Sequence, residues 1–323
     1  MAFPNISDIV ASTIEARNKE IADNVTNNNA VLSYIKKSGN VKPVTGGSTI
    51  LEEVSYAQNG NAGWYSGYDT LATGAQDVIS AAQFSIKQVA APVTISGLEL
   101  LQNSGKQQMI DLLDARLSVA ESTLNNLIVQ GIYSDGTGSG GKQITGLQAA
   151  VPLANTTGVY GSIDRSAWGF WRNSKFKCTT DGTGIATTSN IQGYMNALWA
   201  KTVRGMDVPN LIIMDQAYWA LYLASLQSMQ RFSSTDSAGV GFASLKFMSA
   251  DVIFDNTATG ISANTAYFLN TKYLKFRPHA DRNFIALDPG KRYSSNQDAQ
   301  TTIMAWAGNL TCSGSMFHGV MQN

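Results

Sequence analysis

The sequence predicts a mixed fold of helices and sheets, either α+β or α/β, organised around one long amphipathic helix. Three observations lead to this class. A helical pattern fills residues 105–133, a Gly-rich pair of strand-like pieces precedes it, and short helical and strand patterns alternate after it. The long helix is unusual because it is longer than a small domain needs for its own core.

The long helix is defined by its cap, its stripe and its end. Ser104 followed by Gln107 is a capping-box pattern. Steps of three and four residues connect the apolar positions Met109, Leu113, Leu117, Ala120, Leu124 and Ile128. A turn at Ser134–Gly136 ends the pattern, so the helix is roughly 40 Å long at 1.5 Å per residue. We call it the spine helix.

Two segments precede the spine helix. Residues 1–42 form a short arm, with an amphipathic helical pattern over residues 6–24. Residues 43–86 contain several glycines and no Lys or Arg, and Trp64, Tyr65 and Tyr68 lie in the middle. This pattern predicts a long hairpin with aromatic residues near its tip. An isolated two-stranded hairpin is not stable in water, so it must lie on another surface.

After the spine helix the sequence predicts a turn over residues 136–141 and an extended piece over 144–151. A second region follows, with helices entered at about residue 190 and over 216–227. Strands are predicted over 211–214, 252–254 and 267–269, and strand-like patterns occupy 301–306 and 310–321.

Charge is scarce in this chain. Charged residues make up 14% of the 323 residues, and 44% are hydrophobic, whereas about 25% charge is typical of soluble domains. Interface cores are depleted of charge, so the composition indicates a surface covered by other chains. A Gly- and Ser-rich extracellular domain is the alternative interpretation. With 23 basic and 23 acidic residues, no net field attracts nucleic acid or a membrane surface.

Neither a secretory signal nor a membrane-spanning apolar run is visible, which predicts a protein that starts in the cytoplasm. Cys178 and Cys312 are too few for a metal framework, and we expect both to be buried as small apolar residues. The length favours about two domains.

One stretch has the spacing of a nucleotide site. Gly136, Gly141 and Lys142 match the G-x-x-x-x-G-K pattern, and Asp215 ends a strand-like run as a magnesium-binding Asp would. Such a loop needs Ser or Thr after the Lys, a strand before it and a helix after it. Gln143 follows the Lys, and a helix precedes the loop instead. We therefore expect no nucleotide site.

No other catalytic group emerges. His279 and His318 are the only histidines, and each is expected to be structural. Glu52 and Glu53 are adjacent on a predicted strand and therefore point to opposite faces. We predict no catalytic residue, no cofactor and no metal site.

Several motifs in fixed order resemble one family. They are Val93–Gly97, Glu99–Leu101, Asn103–Gly105, the spine helix, Tyr133–Gly136 and Lys142–Leu147. This series resembles the major capsid proteins of tailed bacteriophages, which have the Hong Kong 97-like coat fold of class α+β. The resemblance spans the chain, and the spine region carries most of it.

The resemblance implies a division into four parts. Residues 1–42 would be an N-terminal arm, and 43–86 an extension loop. Residues 87–188 and 267–311 would form a peripheral domain with the spine helix, and 189–266 and 312–323 an axial domain. Some members cross-link subunits through a Lys in the extension loop, and this chain has none there, so stabilisation is expected to be noncovalent.

The function expected from the resemblance is self-assembly into an icosahedral head shell around double-stranded DNA. Expected partners are further copies of the chain in hexamers and pentamers, scaffolding and portal proteins, and packaged DNA through non-specific contacts. The expected location is the virion, after assembly in the host cytoplasm. A bacterial nanocompartment shell of the same fold is an alternative, and a nucleotide hydrolase is a more distant one. The predicted interface residues are Trp64, Tyr65, Tyr68, Leu117 and Leu124.

Overall fold

The structure is a computed structural model that describes residues 29–102, 106–226, 245–287 and 299–323. Within the spine helix, side chains are described from Ala115 onward. The helical arm predicted over residues 6–24 and the capping residue Ser104 therefore lie outside the described residues. So do the side chains of Met109 and Leu113.

One helix of the described chain is much longer than the others. Its bounds, with those of the shorter helices, are α1 Ala30–Lys37, α2 Gly97–Gln102, α3 Lys106–Tyr133, α4 Leu147–Ala150, α5 Cys178–Asp181, α6 Ile191–Thr202 and α7 Gln216–Leu226. Helix α3 is the predicted spine helix, and it ends where the sequence placed its end. Short 3-10 turns occupy Gly169–Trp171, Thr257–Thr259, Thr271–Tyr273 and Ser315–Phe317.

Fourteen strands are described. They are β1 Thr49–Ser55, β2 Ile79–Ser85, β3 Lys87–Ser96, β4 Val159–Tyr160, β5 Ile163–Asp164, β6 Ser174–Lys177, β7 Leu211–Asp215, β8 Leu245–Phe247, β9 Ala250–Asp255, β10 Thr265–Leu269, β11 Leu274–Pro278, β12 Ile285–Leu287, β13 Ala299–Cys312 and β14 Gly319–Gln322. Both helices and strands are distributed along the whole described chain, and the sheets are mixed or antiparallel, so the fold class is α+β as predicted.

A four-stranded sheet is built on the long strand β13. Strand β3 pairs along one side of β13, from Ser96 opposite Ala299 to Lys87 opposite Gly308. Strands β11 and β12 pair along the other side, and every pairing in this sheet is antiparallel. The spine helix packs against β3, and Arg116 on the helix pairs with Glu99 of α2 at 2.7 Å.

A six-stranded sheet forms the second centre of the fold, with the order β6-β14-β10-β7-β9-β8. The expected division places residues 87–188 in the part with the spine helix, whereas β6 pairs with β14 in this second sheet. The strand pairing of β6 therefore differs from the boundary expected near residue 188. Strand β6 has four residues and buries only Phe176 among lysines, so its apolar pattern is too short to be recognised.

Two hydrophobic cores follow from the two faces of the six-stranded sheet. Strand β7 is buried at every residue. Its side chains Leu211 and Ile213 join the core that contains the spine helix, whereas Ile212 and Met214 join the core under α6 and α7. Because the centre of the sheet is covered on both faces, the central strands β7 and β10 are buried at every residue.

One local prediction was wrong. The sequence predicts extended chain over residues 144–151, but Leu147–Ala150 form the single helical turn α4. Gly146 precedes this turn and lies against the end of the spine helix, where an added Cβ would come within 2.3 Å of the Ile132 carbonyl oxygen. The close approach permits only glycine, and it directs Leu147 and Ala150 into the core.

Candidate interaction surfaces

The predicted hairpin is present, and we call its paired strands β1 and β2 the hairpin root. The two strands are antiparallel from Thr49 opposite Ser85 to Ser55 opposite Ile79. Burial alternates along β1, so Ile50, Glu52 and Val54 face the body of the protein. The opposite-face prediction for Glu52 and Glu53 is confirmed, because Glu52 is buried and Glu53 is exposed.

Glu52 is the centre of a buried ion-pair cluster. Its Oε2 accepts a hydrogen bond from Lys275 Nζ at 2.5 Å, and its Oε1 accepts one from Arg277 Nε at 2.8 Å. Thr311 Oγ1 donates to the same Oε1 at 2.9 Å. Lys275 lies directly opposite Thr311 in the pairing of β11 with β13. All three partners therefore come from one face of the four-stranded sheet.

The ionised form of Glu52 is favoured in this environment. Burial raises the pKa of the carboxyl group, because a charged group loses solvation there. Hydrogen bonds and charges from Lys275 and Arg277 outweigh that effect and hold the pKa of Glu52 below its ordinary value of 4.5. The sequence-based predictions did not include this cluster. The available signal was an acidic residue at position 52, which alternates with the apolar residues Ile50 and Val54 and therefore shares their face of the strand.

The hairpin root is also fixed by apolar and backbone contacts. Ile50, Val54, Ala82 and Phe84 are buried in the main core. The ring of Phe84 meets the ring of Tyr160 edge to face at 5.2 Å between centroids. On β2, Asn309 Nδ2 donates to the Ser85 carbonyl oxygen at 2.9 Å, and Gln83 N–H donates to the Gly161 carbonyl oxygen at 2.9 Å.

The distal segment of the hairpin, residues 56–78, is different. Trp64 and Tyr68 are fully exposed, and Tyr65 is 68% exposed. The hydrogen bonds described for this segment are local, such as Ser66 N–H to Asp69 Oδ2 at 2.8 Å and Asn61 Nδ2 to the Gly74 carbonyl oxygen at 2.5 Å. We call residues 56–78 the hairpin tip. Trp64, Tyr65 and Tyr68 are therefore left largely uncovered by the described chain, whereas Tyr56 at the start of the segment packs against Trp168 and Phe170.

Two of the predicted interface residues, on the spine helix, lie in the interior of the chain. Leu117 and Leu124 are fully buried in the chain's own core, so their assignment to a contact between subunits was wrong. A helical stripe indicates burial but does not say which surface buries it. The outward side of the same helix carries Val119 and Leu127, which are 67% and 44% exposed.

These outward residues border an open groove between the spine helix and β3. The groove has a volume of about 550 Å³ and is mostly apolar. Ala90, Pro92 and Thr94 line it from the strand, and Val119, Thr123 and Leu127 line it from the helix. It is a second apolar surface that the described chain leaves uncovered.

The two residues considered for a nucleotide site, Lys142 and Asp215, lie in environments that do not form such a site. Lys142 is exposed in the turn after the spine helix. Asp215 is buried in the six-stranded sheet, where its Oδ1 accepts the Tyr218 N–H at 3.0 Å and its Oδ2 accepts the Asn264 N–H at 2.8 Å. Both oxygens of Asp215 are used to hold the start of α7 and the turn before β10. Nothing in this geometry assembles a phosphate site.

The histidines and cysteines have similar structural roles. His318 is fully buried, accepts the Asn270 N–H on Nδ1 at 3.2 Å, and has its pKa lowered by burial to about 3. His279 accepts the Asp281 N–H at 3.1 Å. Cys178 and Cys312 are free and buried, as predicted, and burial raises the pKa of Cys312 to about 12. Among the described residues no cluster of three or more metal-binding side chains occurs.

The described helices include none with both the length and the apolar character to cross a membrane.

Comparison with known proteins gives matches in structure alone. No family model matches the chain, and no curated protein matches it in sequence. Among solved structures, the capsid asymmetric unit of cyanophage A-1(L) is similar, with a TM-score of 0.66 and 17% identity over 88% of this chain and 90% of that one. The capsid of Myoviridae phage XM1 aligns over 89% of this chain and 90% of its own, with a TM-score of 0.53 and 14% identity.

A third similar structure is the capsid of an empty GTA particle. It has a TM-score of 0.53 and 14% identity, and the alignment covers 88% of each chain. At these identities the likeness concerns the fold, and it extends over nearly the whole length of each partner. The chain therefore has the fold of phage capsid subunits, which is the Hong Kong 97-like α+β fold expected from its sequence.

Proposed function

We propose that this chain is the major capsid protein of a tailed bacteriophage, and that it assembles into the icosahedral shell of the phage head. The observation that carries the proposal is the agreement in fold with capsid subunits over 88% of the chain. The two uncovered apolar surfaces support it independently. A structural protein of this kind needs neither a catalytic residue nor a cofactor.

The first assembly surface is the hairpin tip. The root holds the hairpin on its own subunit, while Trp64, Tyr65 and Tyr68 remain in water in the single chain. Each aromatic side chain can bury about 150–250 Å². At about 25 cal/mol per Å², three such rings contribute on the order of 10 kcal/mol before the entropic cost of association. Many contacts of this size would stabilise a closed shell without covalent cross-links.

The second assembly surface is the groove beside the spine helix. Exposed Val119 and Leu127 and the facing residues of β3 form an apolar strip. Packing of a second copy against this strip would remove its apolar surface from water. The low charge of the chain, 14% of residues, agrees with a subunit that has neighbours on several sides.

We assign the two cores to the parts that the resemblance implied. In this proposal the four-stranded sheet and spine helix form the peripheral domain, and the six-stranded sheet with α6 and α7 forms the axial domain. Residues 1–42 act as an arm, and the hairpin is the extension loop. The partners are further copies in hexamers and pentamers, scaffolding and portal proteins, and packaged DNA. The subunit assembles in the host cytoplasm and ends in the virion.

Electron microscopy of the purified protein tests this proposal. We expect closed icosahedral shells, or tubes and sheets built from the same subunit contacts. A protein that remains monomeric at all concentrations would contradict it. Analysis of the contents of shells isolated from the native source separates a phage head, which holds DNA, from a nanocompartment, which holds protein.

A further inference from the structure

The hairpin root contains one charged residue where an apolar one would fit. Ile50, Glu52 and Val54 lie on the same buried face of β1, and Glu52 is only 2% exposed. Its neighbours across the hairpin, Ala82 and Phe84, are apolar and belong to the main core. An apolar residue at position 52 would continue this surface, so the carboxylate requires a separate reason.

The cluster around Glu52 is directional. One carboxylate receives Lys275 Nζ at 2.5 Å, Arg277 Nη2 at 2.7 Å and Thr311 Oγ1 at 2.9 Å. Hydrogen bonds of this kind restrict angles as well as distances. The apolar contacts of the root do not, because burial of apolar surface is non-directional. The apolar side chains therefore hold the hairpin against the sheet, but they do not define one angle.

Stability alone does not account for the cluster. Replacement of a buried ion pair by well-packed apolar residues is often neutral or stabilising, because two charges no longer lose their hydration. In some proteins such groups instead select one arrangement among several. The Glu52 cluster joins a long projecting hairpin to the body of the subunit, where a small change of angle at the root moves the tip a large distance.

We infer that Glu52 is a positioning residue that gives the hairpin a single direction relative to its own subunit. This inference rests on the proposed function, because the direction matters only if the tip must meet a defined place on a neighbouring copy. Lys275, Arg277 and Thr311 are the partners that set the direction. Loss of the cluster leaves β1 attached by its apolar face alone, while β2 keeps its hydrogen bonds to Asn309 and Gly161. The hairpin can then turn about β2 and adopt several angles.

The test separates direction from stability with three variants. Glu52→Gln keeps the shape of the side chain and removes its charge. The triple variant Glu52→Leu, Lys275→Met, Arg277→Met replaces the ion pairs with apolar contacts, while Thr311 Oγ1 still has the Lys275 carbonyl oxygen at 3.3 Å. Glu53→Gln is the matched control, because Glu53 is on the exposed face of the same strand.

Hairpin direction is measured in unassembled subunits by pulsed electron paramagnetic resonance. Spin labels are attached at Ser55→Cys on β1 and at Ser122→Cys on the spine helix, which are both exposed. The native Cys178 and Cys312 are buried and free, so the introduced cysteines react selectively. Thermal unfolding and electron microscopy of assembled particles complete the measurement.

We expect a narrow distance distribution for the unmodified hairpin and for Glu53→Gln. The triple variant should unfold at the temperature of the parent or above, yet give a distribution at least twice as broad and particles of irregular size. Glu52→Gln should give the same broadening, and it serves as the test if the triple variant does not fold. A narrow distribution in both variants, or regular shells despite a broad one, would overturn the inference.

The outcome is distinguishable from failure of the proposed function. If the parent chain forms no assemblies under any condition, the proposed function fails. The distance distributions still show whether Glu52 sets the direction of the hairpin.

Discussion

The root and the tip of one hairpin differ in almost every physical property. At the root, apolar side chains are buried and the charge of Glu52 is paired with Lys275 and Arg277. At the tip, Trp64 and Tyr68 are fully exposed, and the hydrogen bonds around them are local, such as Ser66 N–H to Asp69 Oδ2. The buried side chains of the root find their contacts within one subunit, whereas Trp64 and Tyr68 of the tip do not. Contacts that stabilise the subunit and contacts available for assembly are therefore separated along a single element.

The largest expected effect comes from the tip. Deletion of residues 60–67 should abolish shell formation, because the aromatic side chains that contact the neighbouring copy are lost. The subunit itself should keep its melting temperature, since this segment contributes nothing to either core. Electron microscopy and thermal unfolding measure the two effects. Normal particles from this deletion would show that the tip is not an assembly surface.

The spine helix offers the same contrast between an inner and an outer face. Leu124→Asp should lower the free energy of unfolding by about 5 kcal/mol, because a carboxylate without a partner enters the core. Leu117→Asp is expected to act in the same way. Urea unfolding, or insoluble expression, reports the loss. Parent-like stability in these variants would mean that the stripe is not buried.

Leu127→Asp is the matched control on the outer face. Leu127 is 44% exposed, so its replacement should change the unfolding free energy by less than about 1 kcal/mol. The same variant should reduce assembly, because it places a charge in the groove. Full assembly of Leu127→Asp would exclude the groove from the subunit contacts.

An intermediate effect is expected at the root. Glu52→Gln should lower the free energy of unfolding by about 3 kcal/mol, because Lys275 and Arg277 lose their carboxylate partner. Glu53→Gln should stay within about 0.5 kcal/mol of the parent. Urea unfolding of both variants at neutral pH makes the comparison. Equal stability of the two would mean that the buried charge contributes nothing.

The contribution of Glu52 should depend on pH in a defined direction. Its pKa is below 4.5 in the folded chain, so its ionised form stabilises the fold, and this contribution is complete above the ordinary pKa. As the pH falls below about 4.5 and through the lowered pKa, the contribution is lost. The difference in unfolding free energy between the parent and Glu52→Gln should be constant above pH 5 and shrink at lower pH. A difference that grows on acidification would contradict the assignment.

The smallest effect is expected at a residue that belongs to neither region. Lys142 is exposed in the turn after the spine helix, and Lys142→Ala should change stability by less than about 0.5 kcal/mol. Assembly should be unchanged, and the purified protein should neither bind nor hydrolyse ATP. An ATP turnover that disappears in Lys142→Ala would restore the enzyme interpretation.

Long, repeated patterns made much of the fold predictable from sequence. The end of the spine helix at Tyr133, strand β7 and the hairpin were all found, because each has a periodic pattern of several residues or a clear run of turn residues. Short elements were not found. Helix α4 depends on the close approach of Gly146 to the spine helix, and that approach is a tertiary contact without a local signal.

The interaction surfaces were predictable only in part. The exposure of Trp64 follows from its place in the Gly-rich middle of the predicted hairpin. The burial of Leu117 also follows from the apolar stripe of the spine helix. The surface that buries Leu117 does not follow from the sequence, because the same periodicity occurs in a core and in an interface between subunits. The Glu52 cluster joins residues more than two hundred positions apart in sequence. Only the register of β11 on β13 brings Lys275 and Thr311 together beneath the hairpin.

The most direct test of this account is a cryo-electron microscopy structure of the assembled particle. The account predicts an icosahedral shell in which Trp64, Tyr65 and Tyr68 are buried against a neighbouring copy, while Glu52 keeps Lys275 and Arg277 of its own subunit. A shell in which the hairpin tip remains in solvent, or in which Glu52 pairs with another subunit, would contradict it.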